Sequence, residues 1–364
     1  MTTPRRVTYD STSDFQQVLR ARIERYFRMT KRSSRDNLRM YAKTAVILAA
    51  FATVYGLLVF GASAWWQAVA LSIALGVAIA AIGFNIQHDG GHGAYSRRGW
   101  INRGMAFTLD LIGGSSYIWA RKHNVLHHTH TNVAGHDEDI ELGVLARFAP
   151  EQRRYSLHRF QQFYMWPLYS VIVPKWQFYD DWSNLVSGRI GSHKMPRPKG
   201  LDLAQFVVGK IAWLALAFVI PLMLHSVWAV IGCYLIAAGT TGIILSIVFQ
   251  LAHVVEETQF PSPNPETGRI DTPWAVHQVE TTADFARGNR LLSWFVGGLN
   301  FQIEHHLFPR ICHVHYPKIA RIVEKTCRKH GIEYRAFPTF GSAVRSHYRW
   351  LRAMGRTETS GAAS

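Results

Sequence analysis

The sequence predicts an all-α integral membrane protein, with four transmembrane helices in two hairpins under a cytoplasmic helical cap. Three observations predict it. Four apolar stretches, 42–61, 65–87, 205–225 and 227–252, are each about 20 residues long, enough to cross a hydrocarbon core of about 30 Å as a helix. They fall into two pairs whose connectors, near 62–64 and 225–226, are too short for anything but a tight hairpin. Charge is also sorted. Neither connector holds a Lys or Arg, whereas the arm running through Lys43 holds eleven, so the positive-inside rule places both termini and all long segments in the cytoplasm.

Each element follows from its residues. The first pair carries no charge except Lys43 at its edge. In the second pair, Lys210 lies close enough to the surface to snorkel, and Pro221 should kink or end its helix one residue earlier. Trp65, Trp66 and Trp228 fall at the far interface, where aromatic residues anchor. A single apolar 20-mer could be a buried core helix, but four that are paired and charge-sorted argue for the membrane. Residues 103–119 are moderately apolar but carry Asp110 and a Gly-Gly pair, which predicts an interfacial or re-entrant segment.

Composition agrees. The 364 residues are 48% hydrophobic and 13% aromatic, yet carry a formal charge of +16. A mean hydropathy of −0.02 averages very apolar blocks with very polar ones. The chain reads as one domain: a basic arm (1–41), a hairpin (42–87), cap (88–204), a second hairpin (205–252), cap again (253–345) and a tail (346–364) ending in the low-complexity run TETSGAAS. The segment 187–200 is a loop by its Gly and Pro content. The basic stretch 20–43 is either a solvated face or a collar on an anionic membrane surface. The N-terminus has no apolar core of a cleaved signal. Three cysteines without CxxC spacing exclude a disulfide framework and a thiolate metal site.

The eighteen histidines are unevenly placed. His88 and His92, in HDGGH, follow the second apolar stretch. His123, His127 and His128 lie in HNVLHHTH, and Gln302, His305 and His306 lie in QIEHH. His253 closes the fourth stretch. Residues at i and i+4 share a helix face, so His88/His92 and His123/His127 can each serve one ion or two neighbouring ions. Eight imidazoles and one amide exceed what one ion can use and suit two. Imidazole accepts iron, zinc or copper, the absence of thiolates argues against structural zinc, and the Glu-x-x-His set of soluble di-iron bundles is missing. The cap is therefore predicted to hold an all-nitrogen di-metal site.

The HDGGH, HNVLHH and QIEHHLFP boxes, spaced around a second transmembrane pair, resemble the three histidine boxes of membrane fatty-acid desaturases over roughly 42–340. The glutamine opening the third box is similar to the front-end group, as are GHDEDIELG and HQVETTADFA. The resemblance implies two Fe2+ ions held by His88, His92, His123, His127, His128, His305 and His306, with His253 as an extra ligand and Gln302 as a weak one. It implies O2 as co-substrate and a long-chain acyl lipid, acyl-CoA or acyl-carrier substrate desaturated by two hydrogen abstractions. The fused HPGG haem-binding domain of many front-end relatives is not seen, so electrons are expected from a separate ferredoxin- or cytochrome-type donor. The positive charge suits docking of such an acidic donor and suits lipid headgroups equally; no nucleic-acid partner is expected.

Metal-bound histidine usually donates its second N–H to a carboxylate or carbonyl. Asp89, Asp137, Asp139, Glu256 and Glu304 are candidates by proximity. His130 and His136 adjoin the second box as supporting or surface residues, and His277 is placed near the active face of the cap or away from it. His158, His193, His225, His313, His315, His330 and His347 are read as non-ligands. Trp119, Trp176 and Trp182 line an acyl tunnel or, more simply, pack. Two other functions compete with desaturation: a membrane hydroxylase built on the same site, and a non-enzymatic membrane carrier of haem or metal.

Overall fold

The computed structural model describes residues 7–11 and 13–356. It is mostly helical, with three small two-stranded sheets. Among the described residues four helices are long and apolar enough to span a membrane: Leu38–Gly61, Trp65–Gly91, Leu201–Leu222 and Val227–His253. Their outward side chains are bare. Trp65 is 80% and Trp228 82% exposed, and Phe60, Ile211 and Met223 are also exposed. Such a belt of exposed apolar residues would be costly in water and is at home in lipid. The second and fourth spans touch most closely: a methyl group on Gly76 would stand 2.5 Å from the Ala237 carbonyl, and Thr241 Oγ1 donates to the Gly76 carbonyl at 3.0 Å. Small residues that let backbones approach are how helices associate where apolar burial gives no net drive.

Several helices contain a π-helical turn, among them Gly83–Gln87, Ala120–His127 and Ala215–Val219. The last bears on one of the two outcomes expected at Pro221, an end to the helix. Its helix does not end one residue before the proline but continues through Ile220–Leu222, and the wider turn just upstream absorbs the lost N–H and the crowding of the ring. Lys210 also departs from expectation. It does not snorkel: it is buried, with Nζ 2.7 Å from Asp181 Oδ2 and 2.6 Å from the Gly113 carbonyl.

Residues 88–200 and 254–356 pack on the spans: Tyr234 of the fourth span donates to Gln177 Oε1 at 2.5 Å, and Phe178 meets Phe218 of the third. Inside 103–119, the helix Gly99–Leu111 stops before Gly113, and Ser116–Trp119 follows. Asp110 is buried there, accepts from Ser116 N at 3.2 Å and abuts Gly209 of the third span. The expected basic arm is folded. Thr8–Asp10 pairs in parallel with Arg269–Pro273, and Asp14–Thr30, capped by Ser13, buries Phe15, Leu19 and Ile23 against Ile319, Val323 and Cys327. The expected tail is helical over Phe340–Arg356; TETSGAAS lies outside the described residues.

Candidate metal centre

The second span carries the first pair of histidines past its apolar part. His88 sits in its last turn, and His92 N donates to the His88 carbonyl at 3.1 Å, bringing their ring centroids to 4.7 Å. The two glycines between them are needed for contact. A methyl group on Gly90 would stand 2.7 Å from Ala106 N, and one on Gly91 would collide with the Trp119 ring. Trp119 in turn stacks on His123, 4.6 Å between centroids. Gly91→Ala is therefore expected to push this ring and His123 out of place and to lower activity by about 100-fold, the order of loss that a roughly 1 Å misplacement gives. Iron content measured beside turnover would separate displaced ligands from lost fold.

The second box does not lie on the regular α-helix its i,i+4 spacing suggests. Ala120–His127 is π-helical, with His128 N donating to the His123 carbonyl at 3.0 Å. This wider turn puts both His127 and His128 near His123, at centroid distances of 5.1 and 4.8 Å. π turns of this kind recur at functional sites. His253 ends the fourth span, and the short helix Gln302–Leu307 supplies His305 and His306, both fully buried.

The imidazoles fall into two groups. Ligand atoms of His88, His92, His123 and His305 lie within 4.8 Å of one another, as do those of His127, His253 and His306. His128 stands between the groups: with His305 and His306 it forms a third such set, its ring 4.7 Å from His92 and 4.3 Å from His306. Gln302 Nε2 is 2.8 Å from His253 Nε2, while its Oε1 has no partner among the described residues.

Outer groups hold several rings by Nδ1. Asp137 accepts from His127 Nδ1 at 2.9 Å, Asp139 lies 3.5 Å from His123 Nδ1, and Gln278 Oε1 accepts from His306 Nδ1 at 2.7 Å. The Tyr316 hydroxyl lies 3.3 Å from His305 Nδ1. Asp137 and Asp139 therefore stand where proximity suggested. Asp89, Glu304 and Glu256 do not. Asp89 turns away from the centre to His313 Nδ1 at 3.0 Å, and Lys43 Nζ lies 3.0 Å from the Nε2 of that ring. Glu304 pairs with Tyr334 at 3.0 Å and crowds Asp284, whose carboxyl burial pushes up to about 6. Glu256 faces Arg349 at the surface.

Electrostatics favour neutral rings. Burial, followed by the neighbouring imidazoles, holds His128, His305 and His306 well below the ordinary histidine value. Burial also lowers His123, with Asp139 opposing. At His127 burial pulls the same way, but Asp137 more than offsets it and the value rises. Neutral imidazole is the form that binds metal. The Nε2 atoms of His92, His123, His127, His305 and His306, and both nitrogens of His128, are buried without a hydrogen-bond partner among the described residues. Buried polar atoms are rarely left so. Two adjoining all-nitrogen sets with convergent unpartnered lone pairs fit two imidazole-binding metal ions, iron included.

The remaining histidines lie elsewhere. His130, His136 and His193 form a chain of rings 5.5 Å apart, and His277 packs on Tyr9 at 4.9 Å. His225 Nε2 donates to the Val59 carbonyl at 2.7 Å, at the far end of the spans. Of the three tunnel tryptophans, Trp119 alone touches the histidine rings; Trp182 packs beside Lys210. An apolar cavity of about 170 Å³ is lined by Tyr55, Ile79, Trp213 and Tyr234 among others, and by none of the clustered imidazoles. The sequence reading missed Gln278 and Tyr316. Gln278 lies inside HQVETTADFA, a weak signal; nothing in the sequence marked Tyr316.

A family model described as fatty acid desaturase matches residues 63–338. The chain belongs to the fatty acid desaturase family, and with its four apolar spans it is an integral membrane oxidoreductase that desaturates fatty acyl lipids. It is 41% identical to the sn-1 linoleoyl-lipid 6-desaturase of Synechocystis sp., over 98% of this chain and 99% of that one. It is 40% identical to the protein of the same name from Arthrospira platensis, over 97% and 95%. Against the acyl-lipid (8-3)-desaturase of Physcomitrium patens identity is 38%, over 95% of this chain and 72% of that one. These matches favour desaturation over the hydroxylase and carrier readings.

Proposed function

We propose that this protein is a front-end acyl-lipid desaturase that holds two iron ions and uses O2 to place a double bond in a lipid-linked acyl chain. The two buried imidazole sets with unpartnered nitrogens carry this reading. His88, His92, His123 and His305 would hold one ion, and His127, His253 and His306 the other, with His128 between them and Gln302 beside His253. When bound, the iron pair supplies the O2-derived oxidant that an unactivated methylene requires and that acid–base side chains lack. The chain itself fixes ring tautomers through Asp137, Asp139, Gln278 and Tyr316, and excludes water by burying every one of these imidazoles. The balance is R–CH2–CH2–R′ + O2 + 2 H+ + 2 e− → R–CH=CH–R′ + 2 H2O. The electrons come from a ferredoxin- or cytochrome-type donor. The names of the two relatives at 40–41% identity support a linoleoyl lipid as substrate and the 6-position as the site of the new bond. The histidine end of the spans is cytoplasmic, as the Lys and Arg bias requires.

The test is gas chromatography–mass spectrometry of lipids from cells that express the chain and are fed linoleate. The expected product is an acid lighter by two hydrogens, whose derivatised fragments put the new bond on the carboxyl side of the existing ones. A product heavier by one oxygen would sink the desaturase reading.

A further inference from the structure

The helix Asp14–Thr30 and the helix Tyr316–Lys329 pack antiparallel. Phe15 meets His330, Arg22 Nη1 donates to Thr326 Oγ1 at 2.9 Å, and Phe27 meets His315. Their facing sides are apolar. Together the two helices carry nine Lys and Arg against three carboxylates, Asp14, Glu24 and Glu324, a balance of 9 − 3 = +6. Arg25, Arg28, Lys318, Arg321, Lys325 and Arg328 are exposed. Of the acids, Asp14 lies near His330 and Glu324 is held between Arg287 and Arg328. Glu24 and Asp14 are themselves exposed, so the outer face is of mixed sign but strongly net positive.

This face also begins beside the centre. Tyr316 is the first residue of its helix, buried, and its hydroxyl is 3.3 Å from His305 Nδ1, with ring centroids 6.2 Å apart. Lys318 and Arg321 follow within about one and a half turns. Electron tunnelling falls off exponentially with distance, so a carrier seated here would have a short route through Tyr316 to His305. A face of strong net charge steers an oppositely charged partner and fixes its orientation.

We infer that the outer face of these two helices is the docking surface for an acidic one-electron carrier protein, with Tyr316 and His305 as the inward route. This rests on the reading above, in which electrons come from outside. Each encounter oxidises the carrier by one electron, and two encounters supply the two electrons written there. Arg345, Arg349, Arg352 and Arg356 of Phe340–Arg356 are all exposed, and the first three form a second cationic stripe. That helix packs on the end of the fourth span through Ala343, Leu351 and a His347 contact to the Val254 carbonyl, but among the described residues it meets none of the clustered imidazoles, which makes it the natural control.

The experiment reads binding without turnover. Iron-loaded full-length protein in phosphatidylcholine nanodiscs is titrated with a labelled acidic [2Fe–2S] ferredoxin at low and high salt. The variant Lys318→Glu/Arg321→Glu/Lys325→Glu is expected to weaken Kd at least tenfold at low salt and to flatten its salt dependence. Arg345→Glu/Arg349→Glu/Arg352→Glu is expected to stay within twofold of wild type. If the triple change harms the fold, single Arg321→Glu should still weaken binding about threefold. An unchanged Kd, or a loss seen only in the control stripe, overturns the inference. So does an unchanged Kd accompanied by loss of the melting-temperature gain in phosphatidylglycerol nanodiscs, which would assign the face to lipid headgroups. Absence of a desaturated product would count against the enzyme reading alone, because Kd is measured without catalysis.

Discussion

His305→Ala is expected to reduce desaturation below detection while leaving the protein in the membrane. His305 belongs to two ligand sets, one with His88, His92 and His123 and one with His128 and His306, so its loss opens both. Iron bound per chain should fall to less than half. His253→Ala gives the contrast: His253 lies only with His127 and His306, so about one ion should remain, again without activity. Iron by mass spectrometry of the purified protein, measured beside acyl products, checks both. Neither change removes a large apolar side chain, so chromatographic behaviour should match wild type. Retained desaturation in His305→Ala would mean that the two clustered sets are not the catalytic centre.

How far the sequence foretold this site depends on whether each signal was local. The nine predicted residues converge because each box is tied to a helix end, and apolar length with i,i+4 spacing can be read directly from the chain. The supporting groups come from afar. Gln278 reaches His306 from another helix, and Tyr316 reaches His305 from eleven residues downstream across a loop. Nearness in sequence was a poor guide to them. Asp89 adjoins His88 but leaves the helix on the opposite side, toward His313, and Glu304 adjoins His305 but faces Asp284 and Tyr334. A helix turns about 100° per residue, so the neighbour of an inward ligand points elsewhere. Asp137 and Asp139 reach these rings because a turn after the second box folds them back. The π turn at Ala120–His127 was also invisible, since spacing alone does not distinguish it from an α turn.

The fold itself was legible where hydropathy decides it and obscure where one polar residue finds a distant partner. Lys210 is the clearest instance, and it leads to the second large expected effect. Lys210 and Asp181 are both nearly fully buried, their charges 2.7 Å apart, with the rings of Trp182, Phe206 and Trp213 around the ammonium. Removing one partner of a buried pair leaves the other uncompensated, and Lys210→Met is expected to cost about 3–5 kcal/mol. Replacing both, as Lys210→Met/Asp181→Leu, should recover most of this, because the desolvation cost of the pair disappears with its attraction. Burial already pushes Asp181 up to about 6, against the lowering pull of Lys210, and loss of the lysine raises it further. A carboxyl whose folded value lies above its unfolded one binds more protons in the folded state, so its penalty is absent below the unfolded value of about 3.9 and grows as pH rises through the folded one. The melting-temperature deficit of the single variant should therefore be larger at pH 8 than at pH 5, and the double variant should show little such dependence. A deficit that is the same at both pH values would mean that Asp181 is not the group left stranded.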